Sequence, residues 1–168
     1  GTIEAVGVGE EDFSEGDRVA YCMVLGAYAE RRIIAADRLI PLGLDTTDEV
    51  AAAATLQGLT AHYLVHESWP VRSGDTVLVQ AAAGGVGLLL CQWAKAKGAT
   101  VIGTVGSEQK AAYVSNYGCD YPVVYTNEDF AKKVLELTDQ RGADVIYDAV
   151  GYDTFEKGIE CLAERGRL

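Results

Sequence analysis

The residues Ala82-Ala83-Gly84-Gly85-Val86-Gly87 offer backbone and almost no side chain, and that is what gives them chemical use. They follow the β-branched run Thr76-Val77-Leu78-Val79-Gln80 and precede an apolar stretch from Leu88 that reads as a helix closed by Gly98. A strand, a tight turn and a helix in that order make an anion site. The first N–H groups of the helix are unpaired, its dipole favours negative charge, and small residues let a pyrophosphate reach the backbone. Gly84 stands where the backbone would approach the phosphates, and Gly87 where the helix would pack on the strand. Gly85 and Val86 complete the turn. Ala82 replaces the first glycine of the usual G-x-G-x-x-G spacing. The glycines alone would also suit a plain tight turn. Their strand-to-helix context is what points to a dinucleotide.

The next strand bears on which dinucleotide. An Asp or Glu about twenty residues past the glycine turn accepts hydrogen bonds from the ribose 2′-hydroxyl of NAD. Here the strand ends in Thr104-Val105-Gly106-Ser107, without a carboxylate. Glu108 comes one residue later, at the start of a helix, where a negative charge is favourable in its own right. Lys110 is close by, and a cation neutralises a 2′-phosphate that a carboxylate would repel. The missing acid favours NADPH. Lys110 also reads as a solvated helix lysine, and Tyr125 as a strand-end aromatic.

These residues need a scaffold, and the pattern supplies one. Strands are expected near 76–80, 100–105, 122–125 and 143–148, and helices near 86–97, 108–117, 129–139 and 154–164. Alternating strands and helices imply parallel strands with right-handed crossovers, an α/β Rossmann-like doubly wound sheet. Gly166-Arg167-Leu168 reads as the start of a fifth strand, whereas the full fold has six. A piece of a longer enzyme is therefore expected. Residues 1–44 read as a small β-rich module, with short strands expected over 26–35 and 38–42. From residue 45 the pattern turns helical. Thr46 and Glu49 fit a capping box, an alanine-rich helix runs to about Leu56, Gly58 interrupts it, and a helix resumes over 59–67. The expected domains are thus 1–44 and 45–168.

Composition narrows the function. The net charge of −11 over 168 residues argues against a nucleic-acid surface. No apolar run is long enough to span a membrane and no secretory signal is visible, so the cytoplasm is the default expectation. Cys22, Cys91, Cys119 and Cys161 are scattered and read as free thiols.

The Ala81-Ala82-Ala83-Gly84-Gly85-Val86-Gly87 turn, the LQGLTAHY segment before it and the YDAVG segment after it together resemble the quinone oxidoreductase branch of the medium-chain dehydrogenase/reductase family. That branch includes the ζ-crystallin-like NADPH:quinone reductases. The resemblance runs from GTIEAVG at the amino end to AERGRL at the carboxyl end. It implies that 1–44 is the latter part of a GroES-like domain. It also implies that Gly106, Ser107, Lys110 and Tyr125 hold the 2′-phosphate of NADPH. Val150 and Gly151 would lie against the adenosine or nicotinamide ribose, and Thr60 near the nicotinamide. Thr60 also reads as a helix threonine bonding back to a carbonyl.

Zinc alcohol dehydrogenases share this architecture, but Thr55-Leu56-Gln57-Gly58 has no match for their cysteine ligand. His62 and His66 could share a helix face, yet no third ligand is near, so no metal is expected. No catalytic acid stands out; Tyr28 and Tyr63 are only guesses. The expected activity is hydride transfer from NADPH to a quinone or enone, in a protein that is a homodimer at full length. An enoyl reductase, including the polyketide synthase kind, and a non-catalytic NADPH-binding crystallin-like protein are the alternatives.

Overall fold

Every position from 76 to 79 is apolar or β-branched, so this segment has no solvent face and belongs inside a sheet covered on both sides. The computed structural model, which describes residues 1–168, places it there. The chain divides into two compact units, Gly1–Leu59 and Thr60–Leu168.

In the first unit, β1 (Val19–Ala20) pairs antiparallel with β2 (Ile40–Pro41), and Thr2 bridges Arg18. The stretch 26–35 holds no strand, contrary to the sequence expectation. No neighbouring segment pairs with it, and Tyr28 and Ile33 stand fully exposed. The strand expected over 38–42 shrinks to β2, because the 3₁₀ turn Ala36–Arg38 occupies its start. Helix α1 (Asp48–Tyr63) begins one residue later than the capping box implied. Thr47, not Thr46, accepts the Val50 N–H at 3.3 Å, while the Thr46 N–H is bound to the Gly43 carbonyl. Arg18 secures this start by donating to the Asp48 carboxylate at 2.5 Å and the Thr46 carbonyl at 2.7 Å. Gly58 does not interrupt α1. A helical glycine costs only about 1 kcal/mol, and the helix continues to Tyr63 before widening into a π turn, Leu64–Ser68.

The second unit holds β3 (Thr76–Val79), α2 (Gly85–Ala96), β4 (Thr100–Val105), α3 (Glu108–Ser115) and β5 (Tyr121–Val124). It continues with α4 (Phe130–Leu137), β6 (Ala143–Tyr147), α5 (Phe155–Glu160) and β7 (Leu162–Arg167). The five strands form one parallel sheet in the order β5-β4-β3-β6-β7. Alternation sorts the side chains between its faces. Val77, Val79, Val101 and Val145 pack with Leu90, Cys91 and Ala94 of α2, whereas Leu78, Ile102, Val123 and Ile146 pack with Phe130 and Val134 of α4. Three of the four cysteines are buried, and all are free.

The last helix is shorter than expected, and a fifth strand is present where four and a beginning were anticipated. Leu162 pairs with Ala143 and Arg167 with Val145, so β7 bulges between them, with Arg165 at φ +66°. Unpaired hydrogen-bonding groups along β6 draw 162–167 out of the helix. A polar clamp joins β3 to the approach to β6. The Asp144 carboxylate accepts the Thr76 N–H at 2.7 Å and two Arg141 N–H groups, at 2.5 and 2.9 Å, while Arg141 also donates to the Thr76 hydroxyl.

Burial pushes the Asp144 carboxyl up, but the Arg141 guanidinium and the Thr76 N–H outweigh it and hold the group below its ordinary value of 3.8. A depressed folded-state pKa stabilises the fold above the unfolded value and loses that contribution as pH falls through the folded one. Asp144→Asn should therefore melt at a lower temperature than the parent near neutral pH. The gap should narrow steadily once the pH drops below about 4; thermal melts of both proteins across that range measure it.

Candidate functional site

In the order β5-β4-β3-β6-β7 the connections leave β3 in opposite directions, and open α/β sheets bind ligands in the crevice outside the carboxyl ends at that switch. Two cavities occupy this place, of about 440 Å³ and 450 Å³. Gln80, Ala81 and Gly84 line both, which makes them two lobes of one cleft pinched at the β3–α2 turn.

The turn is shaped by close approach. Ala81 takes a left-handed conformation, φ +51°, and its carbonyl accepts the Gly84 N–H at 2.9 Å. A Cβ on Gly87 would lie 2.5 Å from that carbonyl oxygen and 2.9 Å from Ala82 Cα, so only glycine lets α2 reach the turn. Gly84 is different. Its backbone is extended, φ −78° and ψ 168°, and a Cβ there would meet only the Ala81 oxygen, at 3.2 Å. No side chain caps α2, which leaves its first N–H groups for a ligand.

The first lobe gathers Gly84, Gly106, Lys110, Tyr125 and Val150 from five separate segments. Tyr125 is half exposed, and its hydroxyl lies 2.9 Å from where a Cβ on Gly106 would be. Lys157 also lines this lobe but is tied to Asp129 at 2.7 Å, whereas Lys110 has no ion-pair partner. Ser107 lies at the rim without lining the lobe, and its hydroxyl caps α3 by accepting the Lys110 N–H at 3.3 Å. Glu108 lines neither lobe and accepts from the Asn127 amide at 3.1 Å. The lobe thus presents a lysine and a phenol, and no carboxylate at the end of β4.

The second lobe takes in Thr60, Val86 and Gly87, together with Gly84. Gly85 and Gly151 line neither lobe. Gly151 sits at φ +84° in a turn where its N–H and that of Val150 both donate to the Asp148 carboxylate, at 3.0 and 2.7 Å. Tyr63 reaches the second lobe and Tyr28 reaches neither. Tyr147 also lines the second lobe, but its hydroxyl is committed to the Leu64 carbonyl at 3.1 Å, and burial pushes its pKa well up. Sequence reasoning missed Gln80, Thr104, Phe130 and Tyr147. Of these Gln80 and Thr104 carried a signal, as polar residues closing otherwise apolar strands.

The chain has close relatives along its whole length. Residues 85–168 match the family model described as zinc-binding dehydrogenase. The quinone oxidoreductase of Pseudomonas aeruginosa is 47% identical across 100% of the chain and 52% of its own length. The 2-haloacrylate reductase of a Burkholderia species is 46% identical across 98% of the chain and 50% of its own length. The crystal structure of Escherichia coli quinone oxidoreductase complexed with NADPH superposes with a TM-score of 0.94 at 42% identity, covering 99% of this chain and 51% of that one. The chain belongs to the zinc-binding dehydrogenase family, in its quinone oxidoreductase branch. It spans about half the length of the relatives it matches.

The family's description implies zinc, and the donor set in this chain does not fit it. No three His, Cys, Asp or Glu side chains converge as a metal would require. His62 and His66 do share a helix face, but they stack on each other with ring centroids 4.4 Å apart and meet the edge of Trp93. No helix is long and apolar enough to cross a membrane.

The two turn glycines should fail differently. Gly87→Val should destabilise the fold by about 3 kcal/mol, the upper part of the range for overpacking, because backbone atoms rather than mobile side chains block it. Gly84→Val should cost far less stability, since its Cβ meets one backbone oxygen at 3.2 Å, and should abolish dinucleotide binding. Melting curves and cofactor titrations on the two variants separate the roles, and parent-like binding by Gly84→Val would make the turn purely structural.

Proposed function

We propose that this chain forms the cofactor-binding half of an NADPH-dependent quinone oxidoreductase. The observation that carries the reading is the cleft itself: a turn that excludes side chains, leading to a lobe that offers Lys110 and Tyr125 and lacks the strand-end acid. The uncapped start of α2 suits the pyrophosphate. Lys110 and the Tyr125 hydroxyl suit the 2′-phosphate, with Gly106 kept bare beneath the phenol and Ser107 beside them at the rim. Val150, followed by Gly151, borders the adenosine side. Thr60, Val86 and Tyr63 border the lobe left for the nicotinamide.

When bound, the nicotinamide supplies a hydride, and the protein's part is orientation and electrostatics. The chain's own residues hold the two ends of the dinucleotide in separate lobes and close the floor between them with the β3–α2 turn. The Tyr147 hydroxyl is bound to Leu64 and is not placed to give up a proton. The acceptor on this reading is a small quinone or another conjugated carbonyl. The division of labour is a partial GroES-like domain over 1–44 and a partial Rossmann domain over 45–168, and the full-length protein is a cytoplasmic homodimer. The domain division and the homodimer rest on the family resemblance, and the cytoplasm is the default expectation.

A second reading, reduction of a conjugated carbon–carbon double bond, draws support from the relative named 2-haloacrylate reductase. Steady-state rates of NADPH oxidation with a small quinone and with an acrylate separate the two. No oxidation with either would leave a non-catalytic NADPH-binding protein.

Lys110→Ala tests the cofactor assignment. It should weaken NADPH binding by at least about tenfold, the value of one bond to a charged phosphate, and leave NADH binding unaltered. Equal affinity of the parent for the two cofactors would overturn the assignment. Activity should also survive a strong chelator; loss that zinc alone restores would show a metal held by residues outside those described above.

A further inference from the structure

His62 and His66 lie one turn apart where α1 passes into the π turn, and neither lines a lobe of the cleft. Long side chains on a helix lean back over the preceding turn. The His66 ring accordingly rests on that of His62, with centroids 4.4 Å apart and planes 21° from parallel. His66 Nδ1 is 2.9 Å from the His62 carbonyl oxygen. A carbonyl can only accept, so Nδ1 carries a proton, and in the neutral ring Nε2 keeps its lone pair. His62 is exposed and His66 half-buried, so solvent reaches both rings. No hydrogen bond holds either nitrogen of the His62 ring.

We propose that His62 and His66 form a two-point chelate for a late first-row divalent cation, copper(II) before nickel(II) or zinc(II). A metal-binding imidazole commonly donates its other N–H to a backbone carbonyl, which fixes the ring and makes the free nitrogen a better donor. The bond from His66 to the His62 carbonyl is that arrangement. Metal–nitrogen bonds of about 2.0 Å seat the ion between the two rings, and the unanchored His62 ring turns to meet it. Copper(II) leads because nitrogen sites follow the Irving–Williams order, and water completes its tetragonal coordination. The net charge of −11 favours a cation at the surface. Two imidazoles are one ligand short of a catalytic zinc site, and neither borders the cleft, so the site stands apart from the hydride chemistry proposed above. A bound ion ties the last turn of α1 to the π turn that carries Leu64 and Ser68 of the second lobe. Its effect is to stabilise that wall.

Trp93 supplies the readout. Its ring lies 5.7 Å from His62 and 6.0 Å from His66, close enough for a paramagnetic ion held by them to quench its fluorescence. The tag-free full-length protein is titrated with copper(II) while tryptophan emission is followed, and the complex is examined by electron paramagnetic resonance. The parent should bind one ion with the hyperfine pattern of two nitrogen donors and melt at a higher temperature with copper than without. His62→Asn and His66→Asn should each weaken this site by about tenfold or more, since losing even a supporting contact to a metal ligand costs that much. Each should also cancel the copper-dependent rise in melting temperature. If His66→Asn loosens the π turn and melts lower without metal, His62→Asn decides, because the His62 ring makes no hydrogen bond. Affinity and quenching unchanged in His62→Asn would overturn the proposal, leaving an adventitious ion only. A one-nitrogen spectrum from the parent would overturn it as well, by showing that the two rings do not close on the same ion.

Discussion

The Ala81 carbonyl lies so close beneath the first turn of α2 that a single added carbon at Gly87 would sit 2.5 Å from it. The rest of the second unit is arranged around that contact. Ala81 reaches this position only in a left-handed conformation, which costs a non-glycine residue on the order of 1–3 kcal/mol. The strain is held by bonds on each side. Thr104 binds the Ala81 N–H through its hydroxyl and the Ala82 N–H through its carbonyl, and the Gly84 N–H returns to the Ala81 oxygen. A strained turn over-determined by its neighbours is a preorganised one. The uncapped end of α2 is fixed over the switch between β3 and β6 before any ligand arrives.

The elements around this turn were legible in the sequence where burial is total. Thr76–Val79 and Thr100–Val105 read correctly because continuous β-branched runs have few alternatives in an alternating chain. Elsewhere long-range pairing decided. The stretch 162–167 has the composition of a helix end, yet β6 beside it needed a partner. The stretch 26–35 alternates like a strand but finds no neighbour, so its apolar residues stay exposed. Thr46 and Thr47 are chemically alike, and which one caps α1 depends on the turn at Gly43, which engages the Thr46 N–H first. In the site, the residues that the first lobe brings together were readable because bare backbone and an unpaired lysine have a meaning independent of context. Phe130 and Tyr147 were not, since apolar alternation says that a side chain is buried without saying that it borders a cavity.

Charge shapes how such a cleft must work. A chain of net charge −11 repels an anionic ligand at long range, so attraction has to be local. The first lobe contains two lysines, but Asp129 neutralises Lys157, and Glu128 and Asp153 border the same space. What remains for a phosphate is Lys110, the Tyr125 hydroxyl and neutral backbone donors. Selectivity in this arrangement comes from the placement of a few groups rather than from a general positive field. It also gives the absent carboxylate at the end of β4 its weight, because no surplus of positive charge would mask one.

The second lobe is held by a different device. Helix α1 relaxes at its end into the π turn Leu64–Ser68, where the Trp69 N–H reaches the Leu64 carbonyl. Such wide turns are often found where a helix borders a functional site. The same carbonyl accepts the Tyr147 hydroxyl from the end of β6, and Arg167 of β7 donates to the Ser68 carbonyl. Two sheet residues therefore grip the π turn, and the last turn of α1, with Thr60 and Tyr63, is set against the cleft by the strands that form its floor. Desolvation raises the Tyr147 phenol further above its ordinary value, so the proton that makes the bond stays in place well into alkaline solution. Tyr147 is thus better suited to fixing the wall of the lobe than to exchanging protons across it.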